Sequence, residues 1–235
     1  MIQGLIEKDE FTHSYQYLYR IENMSAIGAE FLFRAEQGNP EFIFQMARET
    51  KKLYELDTKS IDKALQTYYS QQTIPIDGLL FINICPSTIL HTQFPSFVAH
   101  LVEQFPESCK NVVFEISESE KASSEKLLKE RIHFLKKLGY KIAVDDVGKG
   151  WSSLNLIIEL DLDFIKLDRY FSIDLATTPK KQKMIQLLLN FFEDTKTSLV
   201  IEGIETSLDL QMAQYLGVHF CQGYLLSKPM PVLEV

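Results

Sequence analysis

The sequence predicts an α/β fold: a TIM-like (β/α)8 barrel with its first strand antiparallel, formed as a single domain over residues 1–235. Three observations carry this. Apolar runs alternate with amphipathic helical stretches, giving eight strands, six of them in strand–helix order. The 235 residues come close to the roughly 250 that one such barrel takes. Polar residues also recur toward the C-terminal end of successive strands, the end at which barrel sites are built. A doubly wound open sheet is the second reading of the same alternation.

The elements follow in order. Phe11–Glu22 and Ile27–Ala35 are rich in aromatic and aliphatic residues, and the short polar connection Asn23-Met24-Ser25 makes them an antiparallel hairpin. Asn39-Pro40 marks a turn into helix, and Pro40–Lys52 and Asp57–Tyr69 space their apolar residues helically. Leu79–Ile84 is a buried strand, Pro95–Phe105 a helix between prolines, and Asn111–Ile116 the next strand. Lys121–Leu138 is an amphipathic helix closed by Gly139. Ile142–Val144 is a strand, and Ser152 and Ser153 offer an N-cap for a short helix before the strand Phe164–Leu167. Helix Pro179–Asp194, strand Ser198–Ile204, helix Ser207–Leu216 closed by Gly217, and strand Val218–Gln222 complete the count. The tail Lys228–Pro231 is expected to end the fold.

The net charge of −8 argues against polymeric nucleic acid, whose phosphates call for a basic surface. A small anionic ligand remains compatible with it. No run reaches about 18 apolar residues, so no membrane span and no membrane partner are expected. The odd set Cys85, Cys109 and Cys221 has no CxxC spacing and predicts free thiols in a reducing, cytoplasmic setting. The sequence is read as having no sensory or membrane domain, which leaves regulation to expression, dimerisation or a partner.

The chemistry concentrates in Ile142–Asp168, where a strand ends in Asp145-Asp146 and the next carries Lys166 and Asp168. Asn83, Glu115, Glu202 and Gln222 stand late in four other strands. A charge inside a buried parallel strand needs a reason, and a lysine there needs a partner. The acids and the Asn83 amide are hard oxygen donors, and the five histidines show no metal-ligand spacing. This set favours Mg²⁺ or Mn²⁺ over Zn²⁺ or copper. Crowded carboxylates disfavour each other's charge, which two bridged cations would relieve. Such a pair serves in-line displacement at phosphorus by a bridging water, with Lys166 orienting the water and Arg34 forked onto a phosphate.

These residues also resemble the EAL-domain family of cyclic-di-GMP phosphodiesterases, from about Tyr15 to Pro229. Glu30-Phe31-Leu32 stands where the name-giving Glu-Ala-Leu would be, and Asn83 in FINICP resembles the family's strand asparagine. Glu115-Ile116-Ser117-Glu118 is similar to its E-[IL]-T-E segment, and Asp145-Asp146 with GKGWSSL to DDFGTGYSSL. FIKLD, IEGIET and CQGYLLSKP resemble K-[IL]-D, EGVET and QGYxFSKP. The resemblance implies a barrel with an antiparallel first strand, and Glu30, Asn83, Glu115, Asp145, Asp146 and Glu202 around two divalent ions. It implies Lys166 and Glu205, with Glu202, at the reacting centre. Gln16, Arg34, Asp168 and Gln222 would contact the substrate, and Glu118 would support the loop after Asp146. The reaction would open cyclic di-GMP to linear pGpG, in a homodimer formed around that loop.

The departures are local. Phe31 replaces Ala; Val147, Lys149 and Trp151 replace Phe, Thr and Tyr; Ala35 replaces Trp; Tyr17 replaces Pro. The stretch after Arg34 is shortened to Glu36–Asn39. They bear on guanine contacts, loop geometry and rate, and leave the inferred metal shell complete. Plainer roles stand beside the chemical ones. Asp145-Asp146 suits a helix N-terminus, and Ser117 with Glu120 fits a capping box that makes Glu118 structural. Glu205 fits a helix first turn, Gln222 a satisfied core amide, and Arg34 a partner for Glu36. A metal-dependent phosphodiesterase is the preferred reading. The alternative is a catalytically weak or inactive receptor for the nucleotide, or a protein-interaction module.

Overall fold

The structure, a computed structural model, describes residues 1–70, 78–117, 120, 122–149 and 157–232. Glu118, the start of the helix expected from Lys121, and the expected cap at Ser152-Ser153 lie outside the described residues.

The N-terminal hairpin forms as its sequence requires. β1 (Thr12–Arg20) and β2 (Ala26–Arg34) pair antiparallel, with Gln16 opposite Glu30. Parallel strands then follow in order: β3 (Leu79–Ile84), β4 (Val112–Ser117), β5 (Lys141–Val147), β6 (Phe164–Leu167), β7 (Ser198–Ile201) and β8 (Phe220–Cys221). β8 pairs antiparallel with β1, which closes the barrel. Gly28 permits the tight β2–β3 approach, since a Cβ there would lie 2.0 Å from the carbonyl oxygen of Leu79.

Helices return the chain between strands. α1 is Ile2–Glu7, α2 Pro40–Glu49, α3 Leu53–Ser70, α4 Pro86–Leu90, α5 Phe94–Gln104 and α6 Ser108–Asn111. α7 is Glu125–Leu138, α8 Pro179–Phe192 and α9 Ser207–Leu216. Their ends are written in the sequence. Asn39, Ser124 and Thr206 accept hydrogen bonds from the amides of Phe42, Leu127 and Asp209 as N-caps. Gly139, at φ 104°, takes the left-handed conformation that stops α7. None of the described helices is long and apolar enough to cross a membrane.

Several elements differ from expectation. α1, α4 and α6 were not expected, because four to six residues are too few to reveal a helical period. α3 begins at Leu53 rather than Asp57, and β8 is shorter than Val218–Gln222. The tail does not simply end the fold: Met230–Pro231 forms β9, paired with Ser14 and Tyr15 of β1. β5 runs on past Val144, so Asp145 and Asp146 lie inside the strand.

The barrel interior is layered. Leu18, Phe81, Val113, Ala143, Phe164, Val200 and Phe220 form an apolar plug, with Phe81 and Phe220 both against Phe164. Side chains two residues apart on a strand share a face. The inward residue two beyond each plug residue is therefore Asn83, Glu115, Asp145, Lys166, Glu202 or Gln222. On antiparallel β1 the order reverses, and Gln16 precedes Leu18. The strands' outer faces pack on the helices in a larger core that includes Leu80, Phe114, Ile142 and Ile165. A smaller cluster joins α1 and α2 through Ile2, Leu5, Phe33 and Ile43.

Phe81 is fully buried in the plug beneath the polar layer. Phe81→Ala is expected to cost about 3–5 kcal/mol of unfolding free energy, measured by urea denaturation.

Candidate active site

Each of β1 to β8 contributes one polar side chain, Glu202 and Gln222 from just past their strands, to a single layer at one end of the barrel. Lys166 is its hub. Its ammonium, fully buried on β6, lies 2.7 Å from Glu115 Oε1, 2.7 Å from Glu202 Oε1, 3.1 Å from Glu30 Oε2 and 3.3 Å from Asp145 Oδ1. Asn83 donates from Nδ2 to Glu30 Oε1 (3.1 Å) and, more weakly, to Glu115 Oε2 (3.5 Å). Gln222 donates from Nε2 to Glu30 Oε2 (3.0 Å) and to Gln16 Oε1 (3.1 Å), and Gln16 donates to the carbonyl of Ser227 (2.8 Å). The structure thus gathers Glu30, Asn83, Glu115, Asp145, Lys166, Glu202, Gln16 and Gln222 into one network. The two glutamines are buried, the Gln222 amide nitrogen being spent on Gln16 Oε1 and Glu30 and that of Gln16 on the Ser227 carbonyl.

Above this floor the barrel mouth opens into a cavity of about 380 Å³, lined among others by Asp146, Lys149, Asp168, Arg169, Glu205 and Tyr224. Asp146 occupies a bulge where β5 shifts register against β6, and its backbone is left-handed at φ 57°. That turn separates the adjacent carboxylates: Asp145 faces Lys166, whereas Asp146 lies 3.5 Å from the Lys149 ammonium. Asp168 accepts from the Tyr170 amide (2.8 Å). Glu205 forms an exposed ion pair with Arg169 at 3.1 Å. Arg34 lines a neighbouring groove with Asp9, Glu10 and Lys63 and donates to the carbonyl of Phe33 (2.7 Å), while still interacting electrostatically with Glu30 and Tyr224.

Sequence reasoning gave no role to Arg169 or Tyr224 and named Lys149 only as a departure from the family's loop. The available signals were an arginine directly after the FIKLD strand and a tyrosine two residues past Gln222. A lone residue at a strand exit carries little information until the mouth is assembled.

Burial and crowding set the electrostatics. Four carboxylates face one ammonium, which leaves an excess of negative charge in a desolvated space. Burial works against the charge on Lys166, but Asp145, Glu115, Glu202 and Glu30 outweigh it and hold its pKa well above the ordinary lysine value. Burial, followed by repulsion from Glu30, raises Glu115 well above the usual carboxylate range, although Lys166 opposes this. Asp145 is raised chiefly by burial. Burial pushes Glu202 up to about 8, with Lys166 opposing and Asp145 and Glu30 reinforcing. Glu30 alone is held low: burial raises it, but Lys166 and hydrogen bonds from Gln222 and Asn83 prevail.

The donor set suits a cation. Glu30, Glu115 and Asp145 present ligand oxygens within 4.8 Å of one another, so this trio could hold a metal ion. Glu115 Oε1 and Asp145 Oδ1 are buried and accept no hydrogen bond of good geometry. All these donors are oxygens, the chemistry preferred by Mg²⁺ and Mn²⁺. Asn83 adds an oxygen if its amide is turned over.

A closed mixed barrel with a carboxylate-ringed lysine at its mouth defines the class: an α/β barrel with an acidic, cation-ready centre. The family model of the EAL domain matches residues 1–229, and the chain belongs to the EAL-domain family. It is 28% identical over 241 residues to the biofilm architecture maintenance protein MbaA of Vibrio cholerae, covering 99% of this chain and 30% of that protein. It is 29% identical over 240 residues to the cyclic di-GMP phosphodiesterase RocR of Pseudomonas aeruginosa, covering 98% of this chain and 60% of that one. The chain therefore spans less than two thirds of the length of either relative. Among solved structures, its fold matches Klebsiella pneumoniae BlrP1 in a calcium and cyclic di-GMP complex, with a TM-score of 0.85 at 24% identity over 96% of this chain and 57% of that one.

A carboxyl whose pKa is raised on folding binds its proton more tightly in the folded state. Its stabilising contribution is complete below its unfolded pKa and is lost as pH rises through the folded value. Glu202, Glu115 and Asp145 act in this sense, while the lowered Glu30 acts in the opposite sense, below its ordinary pKa of 4.5. Chelator-treated protein is expected to lose Tm as pH rises from about 5 to about 8. Saturating Mg²⁺ or Mn²⁺ should flatten the decline, as followed by scanning calorimetry.

Proposed function

We propose that the chain is a metal-dependent phosphodiesterase that hydrolyses cyclic di-GMP to linear pGpG. The observation that carries this reading is the convergence of Glu30, Glu115, Asp145 and Glu202, from four different strand ends, on the Lys166 ammonium. The names of the relatives support the substrate, RocR being a cyclic di-GMP phosphodiesterase. Water would add to one phosphorus, and one ring P–O bond would break to leave a 5′-phosphate and a free 3′-hydroxyl.

Glu30, Asn83, Glu115, Asp145, Asp146 and Glu202 are the residues that would hold two divalent ions, Mg²⁺ or Mn²⁺. When bound, such a pair supplies Lewis-acid charge at the phosphate and acidifies water for the attack. Lys166 keeps its proton at Nζ, because the surrounding carboxylates stabilise the charged form. Its part is to orient and to supply positive charge, not to accept a proton. Gln222, braced by Gln16, fixes Glu30 from one side and Asn83 fixes it from the other. Asp168, Arg169 and Tyr224 line the rim, where a nucleobase or phosphate would lie. Tyr224 is exposed and offers a stacking face. Arg34 would have to swing from the Phe33 carbonyl to reach a phosphate.

Two further parts belong to this reading. Exposed Tyr170, Ile173, Met184, Leu187 and Phe191, on α8 and the segment before it, support self-association into a homodimer. The free cysteines Cys85, Cys109 and Cys221 support a cytoplasmic setting. A second reading, a receptor that binds without cleaving, is favoured by the ion pairs that engage Glu205 with Arg169 and Asp146 with Lys149.

Incubation with cyclic di-GMP and Mg²⁺ or Mn²⁺ should yield pGpG on chromatography. Glu30→Gln and Lys166→Ala should each lower turnover by roughly 10²–10³-fold while the fold persists by circular dichroism. Calorimetric binding without product, under either metal, would replace the enzyme with the receptor.

A further inference from the structure

Lys149 bears on how strongly the second cation is held. The trio Glu30, Glu115 and Asp145 converges on one point at the floor. Asp146 does not share that point, since its left-handed backbone turns its carboxylate to the rim. There it meets a cation the chain already provides. Lys149 Nζ lies 3.5 Å from Asp146 Oδ2, and the Lys149 amide donates to the Asp146 carbonyl at 3.1 Å, which roots the lysine in the same turn. Asp168 and Glu205 line the same rim, and Arg169 is already engaged with Glu205. Among the described residues, Lys149 is therefore the cation paired with Asp146.

We infer that Lys149 is a built-in counter-ion for Asp146, which makes the two cation positions unequal: a strong one at the floor trio and a weak one at Asp146. A divalent ion arriving at Asp146 must displace the ammonium or bear its repulsion at a few ångströms. A divalent ion about 4 Å from an ammonium in a water-rich setting is opposed by roughly thirtyfold before screening, and salt between exposed groups brings the net weakening to about tenfold. An anionic phosphodiester would offer Lys149 another partner, so the weak position would fill more readily with substrate present than without. The inference rests on the two-cation reading above and specifies which of the two positions the protein itself opposes.

The test is a titration of the nucleotide-free chain with Mn²⁺ alone, with free Mn²⁺ followed by electron paramagnetic resonance. Wild type should show two unequal steps. Lys149→Gln should tighten the weaker step about tenfold and leave the stronger unchanged, whereas Lys149→Arg should behave as wild type. Asp146→Asn should abolish the weaker step only. If the stronger step is present and the weaker one is the same in wild type and Lys149→Gln, the inference is overturned while the two-cation reading stands. If none of these proteins binds Mn²⁺, both are overturned. Lys149 is well exposed, so its substitution leaves the packed core untouched.

Discussion

One desolvated ammonium governs this barrel. Lys166 on β6 reaches Glu30 on β2, on the far side of the sheet, and touches carboxylates from the ends of three other strands. Neither partner is favourable alone. A buried lysine without carboxylates costs several kcal/mol, and so does a buried carboxylate without a cation. The contacts also depend on closure, because Glu30 comes within range only when β1 joins β2 to β8. A well-packed apolar set would serve stability as well or better. That the chain places charge here, directly on an apolar plug that could have been extended, is the physical argument for a chemical role.

Much of this was legible because a strand's period is two. Phe81 and Asn83, Val113 and Glu115, Ala143 and Asp145, Phe164 and Lys166, Val200 and Glu202, and Phe220 and Gln222 repeat one arrangement: an apolar residue for the plug and a polar one for the floor. In runs otherwise made of Val, Ile, Leu and Phe, the second member stands out. Glu30 was not visible in this way. It sits mid-strand in AIGAEFLFR, and only the resemblance of its motif to the EAL family drew it into the set. The hairpin made the first strand antiparallel, and that reversal explains why Gln16 comes before Leu18.

What stayed hidden depends on relations between distant or brief segments. Arg169 and Glu205 lie 36 residues apart, and no local pattern announces their pairing. β9 is two residues long and exists because β1 leaves an open edge beyond β8. The split between Asp145 and Asp146 follows from one left-handed residue at a bulge, while the sequence offers only two identical carboxylates side by side. Asp57 was read as the start of a helix. It is a buried anchor that accepts from the Cys85 amide at the root of α4, and burial pushes its pKa up to about 6.

These roots matter because floor and rim are held by different means. The floor is set by strand register and by closure, and its side chains are locked by one another. The rim rides on loops fastened separately: Asp168 accepts from the Tyr170 amide, and the Ser172 hydroxyl donates to the Gly203 carbonyl. A substitution in the rim therefore alters the charge and contacts of the mouth without moving Lys166. A substitution in the floor acts on the ammonium and its carboxylates together, because no member can change its charge without shifting the others. Of the departures from the family's pattern, Lys149 lies past Asp146 at the rim, whereas Val147 still belongs to β5. Lys149 shows how a rim position can change its charge while the floor around Lys166 keeps its contacts.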